Sequence, residues 1–328
     1  MFASPDEIAG TTFWTLNLPL ELRPRLVACL PEAIFHFITI KSPIMGSAKR
    51  IQEARRSAIL SFGQGEPPDL KPFLAKTKLP SFRLWTSHAR IHGAGHETLG
   101  GVGFVLGRGA NGSEPDREIW LKSNPLGSAG TAPLRSLFVS LGLSAVNFAN
   151  APPARLPPPA APSDRPCYLV LPNAARSGMS AEARQDLTRQ LLAQARAVRP
   201  DATFTVLSQV EPGQPSGQPP VPGVPSLPGP YSPELLAAHA GVVTDSHFSG
   251  LDALLRGLDV VCLGQPAWRL ALPEAGKPPA VSLDAVFEAY FLAGTHYLLP
   301  KGQSPANAEA AFRGMAAALP VRQVAAAR

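Results

Sequence analysis

The stretch that decides the fold runs from Gly241 to Trp268 and reads Gly-Val-Val-Thr-Asp-Ser-His-Phe-Ser-Gly-Leu-Asp-Ala-Leu-Leu-Arg-Gly-Leu-Asp-Val-Val-Cys-Leu-Gly-Gln-Pro-Ala-Trp. Residues 241–244 predict a strand, residues 250–256 predict a helix that stops at a glycine, and residues 259–263 predict a second buried strand. Strand, helix and strand in this order are the repeating unit of an α/β sheet. In such sheets ligands bind where a strand ends and its helix begins.

The polar residues at this turn are candidate ligands for a charged group. Helix starts attract anions, so Ser246, Ser249 and the Gly250 amide are candidates to hold a phosphate or a sugar carboxylate. His247 lies between the two serines and belongs to the same candidate set. Asp252, in the first helical turn, would accept a hydrogen bond from a ribose or stabilise the helix terminus. From residue chemistry alone, the alternative is that the serines only cap the helix.

Strand and helix patterns alternate along the rest of the chain. Helix starts are predicted at Ser180, Ser232, Ser282 and Ser304. Residues 120–125 are predicted to end a strand in a turn, either an ordinary one or one facing an acceptor. The other predicted strands are residues 35–40, 58–62, 82–85, 102–106, 167–171 and 203–210, and the other predicted helices are residues 47–56 and 133–141.

Two proline-rich stretches interrupt this alternation. Residues 151–166 contain seven prolines in sixteen positions, which indicates a semi-rigid extended linker. Residues 211–230 contain eight prolines in twenty positions and predict a loop. The predicted organisation is therefore a Rossmann-like domain at 1–150, the linker, and a second Rossmann-like domain at 167–328, whose last helix is free to pack back on the first. We expect an α/β fold of two doubly wound sheets facing a cleft.

Composition and charge narrow the class of protein. The 328 residues are 45% apolar and 16% charged, which is typical of a folded chain with room for two domains. The net charge of +6 favours an anionic partner, such as a nucleotide, a phospholipid headgroup or an acidic glycan. A nucleic acid is disfavoured, because the chain has neither a Lys/Arg run nor a basic stripe interleaved with aromatic residues.

The cysteines and the N-terminus bear on the compartment. Cys29, Cys167 and Cys262 are far apart and odd in number, and the last two lie in apolar runs, so we expect buried thiols and no disulfide framework. That expectation favours a reducing compartment. The sequence shows no signal-peptide pattern and no apolar run of about 18 residues. It predicts a cytoplasmic protein with at most a peripheral contact with the inner membrane.

The block from Tyr231 to about Ala317 resembles the nucleotide-sugar half of the capsular polysaccharide biosynthesis/export family, which includes the bacterial β-Kdo glycosyltransferases. The family has a Ser-containing turn, then Gly-aromatic/aliphatic-Glu-Ala-Leu-Leu-x-Gly, then a buried strand ending in Gly-x-Pro and an aromatic residue. Residues 282–300 resemble the family's late helix and its Tyr-x-x-Pro segment. The residues that match are Gly250, Leu251, Asp252 in place of Glu, Ala253, Leu254, Leu255, Gly257, Gly264, Pro266 and Trp268.

This resemblance implies a GT-B-like architecture, with CMP-Kdo held mainly by the C-terminal domain and the acceptor by the N-terminal one. The reaction implied is transfer of Kdo (3-deoxy-manno-octulosonic acid) to a surface glycan or glycolipid, with retention and without an essential metal. The CMP-sugar is then a donor substrate, and no cofactor is expected. An oxocarbenium-like transition state needs a carboxylate near the anomeric carbon.

Two motifs of the family are altered in this chain. Glu211 stands where the family has the histidine of a His-Pro pair that contacts the CMP phosphate; because a carboxylate repels a phosphate, either the alignment shifts or the phosphate is bound differently. Where the family has Glu-Asp-Gly-Phe with a nucleophilic aspartate, residues 84–106 contain only one carboxylate, Glu97. Glu97 and the adjacent His96 are therefore the catalytic candidates. The alternatives are a catalytically inactive relative that binds glycan or assists polysaccharide assembly, and a transferase that uses another nucleotide sugar.

Three histidines, His88, His92 and His96, recur at every fourth residue. On a helix they would share one face, as metal ligands do, but Gly93 and Gly95 oppose a helix there. The other interpretations are a loop lining the active site, with histidine as acid, base or phosphate donor, and a plain surface loop. We therefore expect no metal site.

Overall fold

The computed structural model describes residues 2–38, 44–63, 68–87, 89, 103–108, 113–145, 165–172, 180–208, 221–228, 231, 233–245, 248–274, 277–297 and 308–317. Within these residues the chain forms two β-sheets and a group of helices that contacts both halves of the sequence.

The first sheet is built mainly from the N-terminal part of the chain. Its strands are β1 (Thr12–Leu16), β2 (Ile34–Ile38), β3 (Ser57–Phe62), β4 (Ser81–Thr86), β5 (Phe104–Gly107) and β11 (Thr295–His296). Their order is β11-β5-β4-β3-β1-β2; β1 to β4 are parallel, and β5 is antiparallel to both of its neighbours. The accompanying helices are α1 (Pro5–Ile8), α2 (Arg23–Cys29), α3 (Ile44–Glu53) and α4 (Leu70–Thr77).

Strand β1 shows how this sheet is buried on both faces. Successive side chains of a strand point to opposite faces. Phe13 accordingly packs with Leu26 of α2, whereas Trp14 packs with Ile51 of α3. All five residues of β1 are buried, as is typical of a central strand covered by helices on both sides. The sequence analysis missed β1, because its two threonines interrupt the apolar pattern.

The second sheet is wholly parallel. Its strands are β6 (Cys167–Leu171), β7 (Thr203–Ser208), β8 (Ser226–Pro228), β9 (Gly241–Thr244) and β10 (Asp259–Cys262), in the order β10-β9-β6-β7-β8. The associated helices are α7 (Ala181–Val198), α8 (Pro233–Ala237) and α9 (Phe248–Leu255). Helix α7 begins as predicted, because the Ser180 hydroxyl accepts a hydrogen bond from the Ala183 N–H at 3.2 Å.

The remaining helices join the two halves of the sequence. They are α5 (Ser113–Ser123), α6 (Thr131–Ser140), α10 (Leu283–Phe291) and α11 (Ala308–Ala317). The Phe138 ring of α6 lies 4.6 Å from the ring of Phe291 and 5.7 Å from that of Phe312, centroid to centroid. An ion pair of 2.9 Å joins Arg135 to Asp284. Because β11 also pairs with β5, contacts cross the predicted boundary between 1–150 and 167–328, which itself stays a prediction.

The α/β class with parallel sheets and Rossmann-like strand–helix units is confirmed, whereas three local predictions are wrong. Residues 120–125 do not end a strand, because 113–123 form α5, which starts with a proline and two acidic residues in its first turn. The predicted loop at 211–230 contains β8, an edge strand bounded by prolines. Cys29 is buried, but Cys167 and Cys262 are only half-buried because they lie at strand ends; all three thiols are free.

Candidate donor site at the start of α9

The predicted anion site lies where β9 ends and α9 begins. Ser249, in the first turn of α9, is fully buried, and Asp245, just after β9, is nearly so. Strand β10 runs parallel to β9 and ends at the same edge of the sheet. The structure thus places Ser249 and Gly250 at the carboxyl edge of a parallel sheet, which is where such sheets bind ligands. Ser246 and His247 lie outside the described residues.

Gly250 occupies its position because of close packing. A Cβ atom there would lie 2.8 Å from Cγ2 of Thr244 and 2.9 Å from the Trp268 ring. Thr244 is the last residue of β9, and Trp268 belongs to a 3-10 helix, Ala267–Ala271, that follows β10. The glycine therefore lets the helix start approach the strand end and the indole. Trp268, the aromatic residue that follows the Gly-x-Pro pattern, takes part in this contact.

Asp252 lies inside the protein rather than on an open surface. Its side chain is 1% exposed; Oδ1 accepts from the Ala145 N–H at 2.7 Å, and Oδ2 accepts from the Tyr231 hydroxyl at 3.1 Å and from the Ser144 hydroxyl. Burial raises the pKa of this carboxyl, although Arg256 and the hydrogen bonds oppose that shift. Asp252 thus ties α9 to the segment that follows α6. A contact from this residue to a ribose stays a prediction.

A second polar cluster lies beside the start of α9, and the sequence analysis did not find it. Glu114 of α5 accepts through Oε2 from the Tyr290 hydroxyl at 2.7 Å and from the Ala267 N–H at 3.1 Å. Its Oε1 lies 3.3 Å from Nη1 of Arg117. The ring of Phe248, the first residue of α9, lies 6.5 Å from the Tyr290 ring. The signal available in the sequence was the Glu-Pro-Asp-Arg start of α5.

Charge in this cluster is arranged around a buried cation. The Arg117 side chain is 0% exposed and its guanidinium carbon lies 4.5 Å from the Tyr290 ring centroid, whereas the Glu114 side chain is 41% exposed. Burial lowers the pKa of Arg117, and the Glu114 charge opposes this. Burial, and then Glu114, raises the pKa of Tyr290 well above its usual value, so its hydroxyl stays a donor. The cluster therefore fixes the backbone at Ala267 relative to α5 and α10.

A cavity of about 260 Å³ opens next to this cluster, between α5 and the segment after β10. Its lining contains two acidic residues, Glu118 and Glu274, and two basic residues, Arg269 and Lys277. The Arg269 guanidinium also donates to the Gly264 carbonyl at 2.9 Å. The volume lies just below the range of about 300–1,000 Å³ that is usual for ligand pockets, so it fits a fragment such as one sugar ring.

The predicted catalytic residues Glu97 and His96, the phosphate candidate Glu211, and His88 and His92 lie outside the described residues. What the structure describes is the two ends of the segment that carries Glu97. The Ser87 N–H donates to the Gly103 carbonyl at 2.8 Å, and the Gly103 N–H donates to the Ser87 hydroxyl at 3.1 Å. Since Ser87 follows β4, the segment leaves and rejoins the first sheet at the carboxyl edge of its parallel strands.

Within the described residues the chain shows neither a metal-binding cluster nor a membrane-spanning helix. No group of three histidine, cysteine, aspartate or glutamate side chains there has the arrangement of a metal site. None of the helices there combines the length and the apolar character needed to cross a membrane.

The two sheets and their Rossmann-like strand–helix units define the class: a fold similar to that of GT-B-like glycosyltransferases. Among solved structures, the chain is similar to "Thermosulfurimonas dismutans KpsC, beta Kdo 2,4 transferase", with a TM-score of 0.65 and 17% identity over 93% of this chain and 98% of that one. The corresponding values for "Thermosulfurimonas dismutans KpsC, beta Kdo 2,7 transferase" are 0.57 and 16%, with the same coverage. No protein-family model and no curated protein sequence matches the chain. The likeness shows that the chain has the fold of these capsule Kdo transferases.

Proposed function

We propose that the protein is a glycosyltransferase that moves Kdo, or a related ulosonic acid, from a CMP-activated donor to a surface-glycan or glycolipid acceptor. The observation that carries this proposal is that the likeness in fold extends over 93% of this chain and 98% of each KpsC chain. The sequence block at 241–268, which resembles the donor half of that family, contains β9, α9 and β10, the strand–helix–strand order expected of a donor site.

The donor is held in this proposal by the start of α9. Ser246, His247, Ser249 and Gly250 bind the phosphate or the sugar carboxylate, supported by the positive end of the helix. The net charge of +6 favours the approach of an anionic donor and an anionic lipid-linked acceptor. The protein acts in the cytoplasm, with at most a peripheral contact with the inner membrane. It uses no cofactor.

The carboxylate that supports the transition state is Glu97, with His96 as acid or base. Glu114 has a different role. Its carboxylate already accepts hydrogen bonds from the Tyr290 hydroxyl and the Ala267 N–H, so it positions the segment after β10. Glu211 follows β7 in the sequence, and the carboxyl end of β7 lies at the same sheet edge as the start of α9. A direct contact of the Glu211 carboxylate with the donor phosphate is unfavourable, because like charges repel.

The altered acidic motif supports a second candidate function. Residues 84–106 contain Glu97 as their only carboxylate, so a relative without catalysis, which binds glycan or assists polysaccharide assembly, is the alternative. The transferase and the non-catalytic relative differ in whether the donor is turned over, and not in their fold. Both predict that a glycan or a donor binds the folded chain.

A thermal-shift panel of CMP, UDP, GDP and ADP, followed by CMP-Kdo turnover, tests the proposal. A ligand at 100 times its Kd stabilises the native state by about 2.7 kcal/mol, so CMP should raise the melting temperature most. Ser246→Ala should reduce this shift, Glu97→Gln should abolish CMP release from CMP-Kdo while keeping the shift, and the exposed Ser123→Ala on α5 should change neither. CMP binding without turnover favours the non-catalytic alternative. A larger shift with UDP or GDP, or no shift with any nucleotide, contradicts the proposal.

A further inference from the structure

The cavity between α5 and the segment after β10 is lined on one side by a loop that backbone hydrogen bonds hold in place. The chain passes Leu270 near the end of the 3-10 helix and returns beside it at Ala280, whose N–H donates to the Leu270 carbonyl at 3.0 Å. Farther out, the Lys277 N–H donates to the Glu274 carbonyl at 2.6 Å, and these two residues form an antiparallel bridge. Because all four residues line the cavity, its shape is fixed by the backbone.

This cavity is separate from the candidate donor site, although the two are neighbours. The Trp268 ring faces Gly250 at the start of α9, whereas the residues on either side of it in the sequence, Ala267 and Arg269, line the cavity. Of the donor candidates that the structure describes, neither Ser249 nor Gly250 contributes to the lining. A ligand in the cavity therefore contacts residues that the proposed donor binding leaves unused.

The two basic residues of the lining can recognise a negatively charged group. The half-buried Arg269 guanidinium has five N–H groups and donates through Nη1 to the Gly264 carbonyl at 2.9 Å. Lys277 is exposed on the loop. In the part of the chain that the structure describes, neither side chain forms an ion pair with a carboxylate. The planar guanidinium suits a carboxylate, and the lysine adds a second positive charge.

The two carboxylates of the same lining restrict the charge of the ligand. Glu118 of α5 accepts from Nζ of Lys122 at 2.6 Å, and Glu274 is exposed on the loop. Two acidic and two basic residues leave the lining without net charge. Both carboxylates repel a doubly charged phosphate, whereas the hydroxyl groups of a ligand can donate to them. The lining therefore fits one negative charge together with several hydroxyl groups.

Most of the remaining lining is apolar and suits the C–H faces of a ring. It consists of Pro266, Ala267, Leu270, Leu272, Pro278 and Ala280. Ligand sites combine such apolar surface with a few polar groups that fix the orientation of the ligand. The cavity volume of about 260 Å³ matches one six-membered ring with its substituents.

We propose that this cavity is a second sugar site, which binds one carboxylated residue of an acidic glycan. The ring lies on the apolar side chains, its carboxylate is held by Arg269 and Lys277, and its hydroxyl groups donate to Glu118 and Glu274. Because Glu274, Lys277 and Pro278 are exposed, the neighbouring residues of a glycan can continue into solvent. No bond is made or broken at this site, and the proposal does not depend on the transferase function.

The test is ligand-observed saturation-transfer NMR with the full-length chain and four small probes: glucuronate, glucose, cyclohexanecarboxylate and glucose 6-phosphate. We expect glucuronate to bind with a Kd on the order of 1 mM, as is usual for a ligand of this size in an open site. Glucose lacks the charge and cyclohexanecarboxylate lacks the hydroxyl groups, so both should bind at least about fivefold more weakly. Glucose 6-phosphate should also bind more weakly than glucuronate, because it carries a second negative charge.

Two variants of the cavity and one matched control locate the binding. Lys277→Gln should weaken glucuronate binding about fivefold, the effect of one unit charge about 4 Å away in water. Arg269→Lys keeps the charge but loses the bidentate geometry, so it should weaken binding about tenfold. Lys76→Gln removes the same charge from an exposed position on α4, beside the first sheet, and should leave the Kd unchanged.

Several results overturn the proposal. They are no glucuronate binding at 20 times the expected Kd, equal binding of glucose, tighter binding of glucose 6-phosphate, or a Kd that Lys277→Gln does not change. If Arg269→Lys does not fold, because the Gly264 carbonyl loses its donor, the exposed Lys277→Gln decides alone. Saturating CMP should leave the glucuronate signal intact, and displacement by CMP would show that the cavity belongs to the donor site. A chain that binds glucuronate but no nucleotide refutes the proposed donor and keeps this sugar site.

Discussion

The Tyr231 hydroxyl donates a hydrogen bond of 3.1 Å to the carboxylate of Asp252, and both groups lie in the protein interior. Tyr231 precedes α8, and Asp252 lies in α9. The same carboxylate also accepts hydrogen bonds from the Ser144 hydroxyl and the Ala145 N–H, which belong to the segment after α6. One carboxylate therefore holds three separate parts of the chain together. Because each of its partners is a donor, removing the carboxylate takes an acceptor from three groups at once.

Asp252→Ala should accordingly destabilise the protein by about 3 kcal/mol or more, since each unsatisfied buried donor costs about 1–3 kcal/mol. Tyr231→Phe removes only one hydrogen bond, so its cost should be about 1–3 kcal/mol. Urea denaturation of the two variants measures this difference. Ser140→Ala, which removes an exposed hydroxyl from α6, is the control and should stay within about 0.5 kcal/mol of the wild type. Equal costs for Asp252→Ala and Tyr231→Phe would contradict the three-way role of the carboxylate.

The pKa of Asp252 predicts how stability depends on pH. Burial raises the folded-state pKa above the unfolded value of about 3.9, so between the two values the folded protein binds more protons than the unfolded chain. The contribution of Asp252 to the free energy of unfolding is full below the unfolded pKa and is lost as the pH rises through the folded pKa. The measurement is the difference in unfolding free energy between wild type and Asp252→Asn across this acidic range.

The unfolding free energy of wild type minus that of Asp252→Asn should fall as the pH rises and level off above the folded-state pKa of Asp252. The contributions of the other titratable groups cancel in this difference, because both proteins contain them. Glu7, for example, has a pKa lowered first by the Ser4 backbone N–H and then by Arg108, and acts in the opposite direction. A difference that grows with pH would show that the folded-state pKa of Asp252 is lowered instead.

Gly250→Ala should destabilise α9 although alanine is the better helix former. The added methyl group would lie 2.8 Å from Cγ2 of Thr244, and overpacking costs about 1–3 kcal/mol against about 1 kcal/mol gained in helix propensity. Thr244→Ser removes that Cγ2. Alone it should cost about 1 kcal/mol, but in the Gly250→Ala background it should cost less or restore stability. Strictly additive melting data for the double variant would exclude the proposed clash.

The β9–α9–β10 unit could be predicted almost residue by residue. Strands are predicted at 241–244 and 259–263 and a helix at 250–256, and the observed elements are Gly241–Thr244, Asp259–Cys262 and Phe248–Leu255. These elements follow from apolar runs and from a glycine stop, which are properties of adjacent residues. The local residue pattern was therefore sufficient to predict this unit and, with it, the α/β class of the second sheet.

The partners of the site residues could not be predicted, because they are distant in the chain. Asp252 meets Ser144 across 108 positions, and Glu114 meets Tyr290 across 176. No periodicity within one segment encodes such a contact. The wrong prediction of a strand end at 120–125 has another cause. The apolar pair there suggests a strand only if the proline and the acids that begin α5 a few residues earlier are left out of account. Glu97, His96, Ser246, His247 and Glu211 stay predictions.

The pair Glu114 and Tyr290 should show strong energetic coupling. Tyr290→Phe removes a 2.7 Å hydrogen bond to a carboxylate, and such bonds contribute about 1.5–3 kcal/mol. Glu114→Ala should cost more, because the Ala267 N–H and Arg117 lose the same partner. The double variant should then be less destabilised than the sum of the single ones by more than about 1 kcal/mol.

The matched control for that cycle is the pair Glu118 and Lys122 on the same helix. Their 2.6 Å ion pair is exposed, with side chains 52% and 63% accessible, so its coupling should stay below about 0.5 kcal/mol. Chemical denaturation of the wild type and of the three variants of each cycle compares a half-buried cluster with a solvated pair on one helix. A Glu114–Tyr290 coupling as small as that of Glu118–Lys122 would mean that α5 is fixed against α10 by apolar packing alone.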